Sequence, residues 1–174
     1  MALPSKRSAF TLIELLLVVT IISIITVGVI PAFSTYIRNQ NLKQAQEQIK
    51  SDLRSTQNKA LTGSLSDQSV SGSPMKFWGI KFTNESSTYN YFISAVDTSC
   101  TPSIISQGNG KLANGLVIKS LSTSGCLFFS VQDGGISSQG FGTAVSVTVG
   151  YPNPSTNVKN IFFNSAGLIY STNE

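Results

Sequence analysis

The sequence contains no histidine, which removes the commonest general base and the commonest metal ligand together. Most hydrolytic mechanisms are hard to assemble without it. Charge is scarce as well: 11% of the 174 residues are Asp, Glu, Lys or Arg, against 41% hydrophobic. That balance describes one modest globular domain plus something apolar. The formal charge of +4 overstates the basic character, because two of the twelve basic residues, Lys6 and Arg7, fall in the first nine positions and leave ten against eight acidic residues. No basic cluster marks a nucleic-acid surface, and nucleic acid is not an expected partner. Two cysteines are too few for a four-ligand zinc site. Cys100 and Cys126 read as one disulfide in an exported domain or, alternatively, as two buried thiols acting as small hydrophobes. There is no glycine-rich phosphate loop, and Glu85, Asp97 and Asp133 form no Asp-x-Asp-x-Asp series. No enzymatic activity, cofactor or metal site is expected.

What the sequence does have is a run from 10 to 33, about 24 positions, in which Glu14 is the only charged residue. As a helix it spans about 36 Å, enough to cross a bilayer core of about 30 Å. Lys6 and Arg7 precede it, so the positive-inside tendency places 1–9 in the cytoplasm and the bulk of the chain outside. A secretory signal has its small-residue cleavage site on the far side of a shorter apolar region; here the small residue, Ala9, lies on the near side. A carboxylate in an apolar helix costs about 3 kcal/mol at the centre of a bilayer and calls for a partner. A cut between Ala9 and Phe10 would create one, the new Phe10 amine, most usefully on a neighbouring subunit. Burying two opposite charges is favourable only where they meet, so such a pair would select the axial register of an assembly. The alternative is a Glu14 that snorkels to the interface in an uncleaved signal anchor. Further along, Pro31 removes one backbone hydrogen bond and crowds the carbonyl of Val27. With Gly28 just upstream, a kink or local unwinding is expected there.

At Ala9, Phe10, Thr11, Leu12, Ile13 and Glu14 the chain resembles the signal of type IV prepilins and type II secretion pseudopilins. The resemblance implies a prepilin peptidase that cuts before Phe10 and methylates its new amine, with Glu14 and Phe10 in the assembly role. Ala9 stands where most members carry glycine, and alanine is small enough for processing to be expected. Pro31 in TVGVIPAFSTYIR resembles the helix-kinking proline of many pilins. KSDLRSTQNKAL at 50–61 is similar to the helix of H-class pseudopilins and their minor-pilin relatives, and VKNIFFNSAGLIYS is loosely like their ending.

Beyond the run, Leu42, Ala45, Ile49, Leu53 and Ala60 recur at helical spacing between polar residues, with no glycine or proline from 32 to 62 and Gly63 as the stop. One helix of about 50 residues is predicted, its first half membrane-embedded and its second amphipathic. After a Ser, Gly and Pro-rich loop, aromatic and β-branched runs at 76–82, 89–96, 115–121, 126–131, 144–151 and 158–163 predict short antiparallel strands. TNESST reads as a hairpin loop, and NSAG as a turn into a last strand. The expected class is α+β, a long N-terminal helix packed on an antiparallel sheet head, which is also what the pilin resemblance implies. The segments are a leader at 1–9, a transmembrane and assembly helix at 10–33, an amphipathic continuation at 34–63 and a β-rich head at 64–174.

The expected function is that of a structural subunit, a minor pilin or pseudopilin of a pilus or secretion pseudopilus, with a major pilin as the alternative. Implied partners are the prepilin peptidase, other pilin or pseudopilin subunits and, indirectly, an inner-membrane assembly platform and its ATPase. The expected location is the bacterial inner membrane and then a surface or periplasmic filament. A reading of another class is a signal-anchored surface protein that keeps 1–9 and binds a ligand with its head.

Overall fold

The computed structural model describes residues 10–100, 104–119, 124–141, 146–153 and 157–171, the side chains of 28–32 and 104 excepted. Two compact units divide the chain, Met1–Asn39 and Gln40–Glu174. The first element, α1, is a helix over Leu12–Leu61. Its end follows from local chemistry. Gly63 adopts a left-handed φ of 64°, which brings its own N–H to the Ala60 carbonyl (3.0 Å) and the Ser64 N–H to the Lys59 carbonyl (3.0 Å). These two bonds are a Schellman cap, and glycine makes it without Cβ strain.

In the first unit, every apolar side chain of 10–27 is exposed. Thr20, Ser23 and Thr26 donate their hydroxyls back to the carbonyls of Leu17, Val19 and Ile22 at 2.7–2.8 Å, which satisfies them inside an apolar stretch. Among the described residues, no helix is long and apolar enough to cross a membrane. The stretch with described side chains stops at 27, short of the roughly 20 residues a bilayer core requires. Positions 28–32, over which the apolar run of the sequence continues, carry side chains outside those described, and the expected kink at Gly28 and Pro31 falls on them.

The second unit contains the rest of α1 and eleven strands among the described residues. A small hairpin, β1 (Ser69–Val70) with β2 (Ser73–Pro74), follows the helix. One sheet has five strands in the order β5 (Ile104–Lys111), β4 (Thr88–Ser94), β3 (Phe77–Thr83), β7 (Ser124–Ser130) and β8 (Ile136–Gln139). The other has four, in the order β11 (Ile169–Tyr170), β10 (Val158–Phe163), β9 (Ser146–Gly150) and β6 (Val117–Ile118). Every neighbouring pair is antiparallel. An N-terminal helix followed by antiparallel sheets is the α+β arrangement expected from the sequence. The strands at 104–111 and 136–139 were not expected.

Helical periodicity explains the core. Leu42, Ala45, Ile49, Leu53 and Ala60 are buried on one stripe of α1, and they share a cluster with Trp78, Ile80, Phe82, Tyr89, Ile93, Leu127 and Phe129 of the five-stranded sheet. Val147, Val149, Ile161, Phe163 and Ile169 of the four-stranded sheet complete it. Polar residues on the same stripe are bonded where they are buried. Gln46 donates to the Asn160 carbonyl at 2.8 Å, and Gln57 donates to the carbonyls of Gly134 and Gly167 at 3.1 Å.

The five-stranded sheet is buried on its other face as well. Phe92, Cys126 and Phe128 form a second cluster there, with Phe77 and Cys100 packed against it. Gly79 lies opposite Phe92 in register, and the Phe92 ring lies where a Gly79 Cβ would be; that Cβ would also sit 2.6 Å from the Leu127 carbonyl oxygen. Gly110 opposite Tyr89 repeats the pattern on the helix-facing side. A large aromatic ring over a cross-strand glycine covers backbone that would otherwise be bare.

Backbone bonds also join the two sheets. The tip of the β3–β4 hairpin reaches β6: Glu85 N–H donates to the Ile118 carbonyl at 2.8 Å, and Ile118 N–H to the Ser86 carbonyl at 3.0 Å. Glu85 tolerates a left-handed φ of 55° to do so, and its carboxylate lies 3.8 Å from Lys119 Nζ.

Candidate functional site

The residues singled out by the sequence lie around the start of α1. Phe10 precedes the helix and is 75% exposed; Ala9, on the other side of the expected cut, lies outside the described residues. Thr11 caps the helix. Its Oγ1 accepts the Glu14 N–H at 3.3 Å, and its carbonyl accepts the N–H groups of Glu14 and Leu15 at 3.2 Å. Thr11-Leu12-Ile13-Glu14 therefore has the spacing of a capping box, with threonine at the cap and glutamate three residues on. The spacing is legible in the sequence, where the apolar run that follows it is the stronger signal.

This geometry gives Glu14 a second physical role. It sits in the first turn, where unpaired N–H groups leave a partial positive charge, and a carboxylate there is favourable by about 0.3–1 kcal/mol. Among the described residues none pairs with its carboxylate, and its side chain is exposed. The capped start also fixes the chain direction. With Thr11 as the capping residue, Phe10 precedes the helix and its side chain is exposed.

Elsewhere, Cys100 and Cys126 are joined by a disulfide, Cα to Cα 5.7 Å, that ties the segment after β4 to β7 beside the Phe92–Phe128 cluster. The carboxylates Asp97 and Asp133, distant in sequence, line one small cavity of about 190 Å³ with Ser130, Ser137 and Ser165. Among the described residues no group of three or more acidic, cysteine or histidine side chains is placed to hold a metal. A second feature missed by sequence reasoning is buried. Tyr89 donates its hydroxyl to Asp52 and accepts from Gln48 Nε2 at 3.3 Å. Burial first, and then the Asp52 carboxylate, pushes the Tyr89 phenol well above its ordinary range; the same causes push the neighbouring Tyr91 phenol up to about 12.

No curated protein and no solved structure matches the chain. One family pattern does, the prokaryotic N-terminal methylation motif, and it covers residues 4–30. The match takes in the basic leader positions, the Ala9–Phe10 junction, the Thr11 cap, Glu14 and most of the apolar run. It implies processing by a prepilin peptidase and assembly with other pilins. The chain thus carries a prepilin-type signal at its N-terminus, that of a type IV pilin-like precursor.

Proposed function

We propose that the chain is a minor pilin or pseudopilin, cut between Ala9 and Phe10, methylated on the Phe10 amine and assembled through its N-terminal helix into a pilus or secretion pseudopilus. The observation that carries this reading is the methylation motif at 4–30, which includes a capped helix start whose apolar side chains up to 27 are exposed. In it, the apolar run 10–33 crosses the inner membrane before assembly, with 1–9 in the cytoplasm and the head outside. The Phe10 amine of an incoming subunit then pairs with Glu14 of one already placed, in the interior of a bundle of such helices. Desolvation there makes an unpaired charge costly, so the pair enforces register. The chain performs no catalysis in this reading. Work for extension comes from a partner ATPase, transmitted through an assembly platform.

The test is the mass of the N-terminal peptide of the protein recovered from its native envelope. A chain that begins at methylated Phe10 supports the proposal; one that begins at Met1 or Ala2 overturns it.

A second reading, an uncleaved signal-anchored surface protein, is favoured by one observation. Thr11 and Glu14 already form a cap within one chain, which gives Glu14 a purpose that needs no neighbour. The same mass measurement separates the two.

A further inference from the structure

The polar face of α1 in the second unit is not a uniform solvated stripe. Glu47, Lys50, Ser51, Arg54, Asn58 and Lys59 line an open groove of about 500 Å³ along it. The cations are held in place. Lys50 Nζ lies 2.9 Å from Glu47 Oε1, Arg54 donates to the Ile169 carbonyl at 3.4 Å, and Lys59 Nζ stands 5.2 Å from the Trp78 ring centroid and 5.7 Å from that of Tyr91. Such anchoring lowers the side-chain entropy that a partner's binding would otherwise remove. Among the described residues, neither Arg54 nor Lys59 is in an ion pair with a carboxylate. Three cations and one anion leave the groove with an excess of two positive charges.

The same chain carries a complementary corner. Asp97 and Asp133 line one cavity with three serines. Asp133 is exposed, and its Oδ1 accepts the Gly135 N–H at 3.0 Å. That bond, with the Ser130 hydroxyl, holds its carboxyl below the usual carboxylate range, so it is ionised at neutral pH, where the groove's lysines and arginine are cationic. Ser137 Oγ is buried in the cavity wall without a hydrogen-bond partner. No described ion pair joins corner to groove within one chain.

We propose that the groove on α1 seats the Asp97–Asp133 corner of a second copy of this chain. Two carboxylates meet an excess of two cations, and the serines of the corner face the Ser51 and Asn58 donors of the groove. Glu47 within the groove disfavours a continuous polyanion such as nucleic acid, which presents no positive group to meet it. Because groove and corner are different surfaces, the contact is heterologous: each copy offers one of each, and repetition gives an open chain unless its rotation happens to close. The inference rests on the filament reading above and adds to it a contact made by the head.

The experiment uses the full chain purified in mild detergent from its native envelope, grown separately in light and ¹⁵N-labelled medium. The two populations are mixed, coupled with a zero-length carbodiimide, digested and analysed by mass spectrometry. Mixed-isotope peptides that join Asp97 or Asp133 to Lys50 or Lys59 are expected. Arg54→Glu should reduce their yield about tenfold, and the doubly exchanged chain Arg54→Glu/Asp133→Lys should couple positions 54 and 133 to each other. Cross-links confined to one isotope, mixed-isotope cross-links that avoid these positions, or a yield indifferent to Arg54→Glu would overturn the proposal. Mapping on the unaltered chain needs no variant to fold. The N-terminal peptide in the same digest reports the Phe10 reading separately, so either proposal can fail alone.

Discussion

Tyr89, in the second strand of the five-stranded sheet, donates its phenolic proton to the carboxylate of Asp52 on the helix, and that bond fastens helix to sheet beneath the apolar core. Its ring is fully buried, and it also covers Gly110 of the edge strand. One side chain thus joins three elements. Tyr89→Phe keeps the ring and removes the bond, and should lower stability by about 1–2 kcal/mol. The urea midpoint of the detergent-solubilised chain would show it; an unchanged midpoint would mean that the bond contributes nothing.

Alkaline pH should weaken the head through the same residues. Both Tyr89 and Tyr91 hold their protons more tightly than the ordinary value of 10.0, through burial and then the Asp52 charge. Below pH 10 folded and unfolded chains are alike in carrying these protons, and the full contribution is present. Above pH 10 the unfolded chain releases them first, so stability falls as pH rises, Tyr91 following up to about 12. Urea midpoints at pH 9 and pH 11 should differ, and Tyr89→Phe should shrink that difference.

Gly79 should tolerate no side chain. A Cβ there meets the Phe92 ring and the Leu127 carbonyl in a sheet buried on both faces, so Gly79→Ala should cost about 1–3 kcal/mol. Coupling it with Phe92→Leu, which removes the ring, should recover part of the loss. Thermal unfolding of the three variants tests this, and strictly additive losses would contradict it.

Reducing the Cys100–Cys126 bond should destabilise the head. The cross-linked loop, 26 residues in sequence separation, corresponds to about 3.5 kcal/mol in the chain-entropy account. The outer cluster of Phe92 and Phe128 should also lose its cover, which binding of a hydrophobic dye after mild reduction would report.

The cap and the counter-charge roles of Glu14 predict different variant patterns. Thr11→Ala removes the capping hydroxyl, worth about 1 kcal/mol to the helix, and leaves the Glu14 charge in place. If Glu14 acts as counter-charge to Phe10, filament incorporation should survive Thr11→Ala and collapse with Glu14→Ala. Equal defects in both would reduce Glu14 to a capping residue. Counting tagged subunits in sheared filaments distinguishes these results.

Legibility in the sequence varied with the physics behind each element. The helix was plain because apolar spacing at Leu42, Ala45, Ile49 and Leu53 and a stop at Gly63 agree. Strands with Phe, Tyr, Trp and Ile were plain for the same reason. Ile104–Lys111 and Ile136–Gln139 were not, since Ser, Gln, Asn and Gly dominate them and their extended state is imposed by pairing with β4 and β7. The edge strand even carries an irregularity, with Tyr91 and Phe92 opposite Gly108 and Ser106 and a left-handed Gly108 at the bend. Asp97 and Asp133 were each visible, but their meeting depends on how β4, β3, β7 and β8 are ordered, which no local pattern encodes. Thr11-x-x-Glu14 is a local pattern in full view, overshadowed by the apolar run that follows it.

The seam between the β3–β4 hairpin tip and β6 bears on how the head can be relabelled. A surface hairpin is ordinarily the first place to insert an epitope or a fluorophore-binding tag. Here Glu85 and Ser86 are backbone-paired to Ile118, so extra residues at that tip would unhook one sheet from the other. The exposed bend at Gln107, skipped in the pairing of β5 with β4, joins no second sheet among the described residues, and it is the better port for a probe.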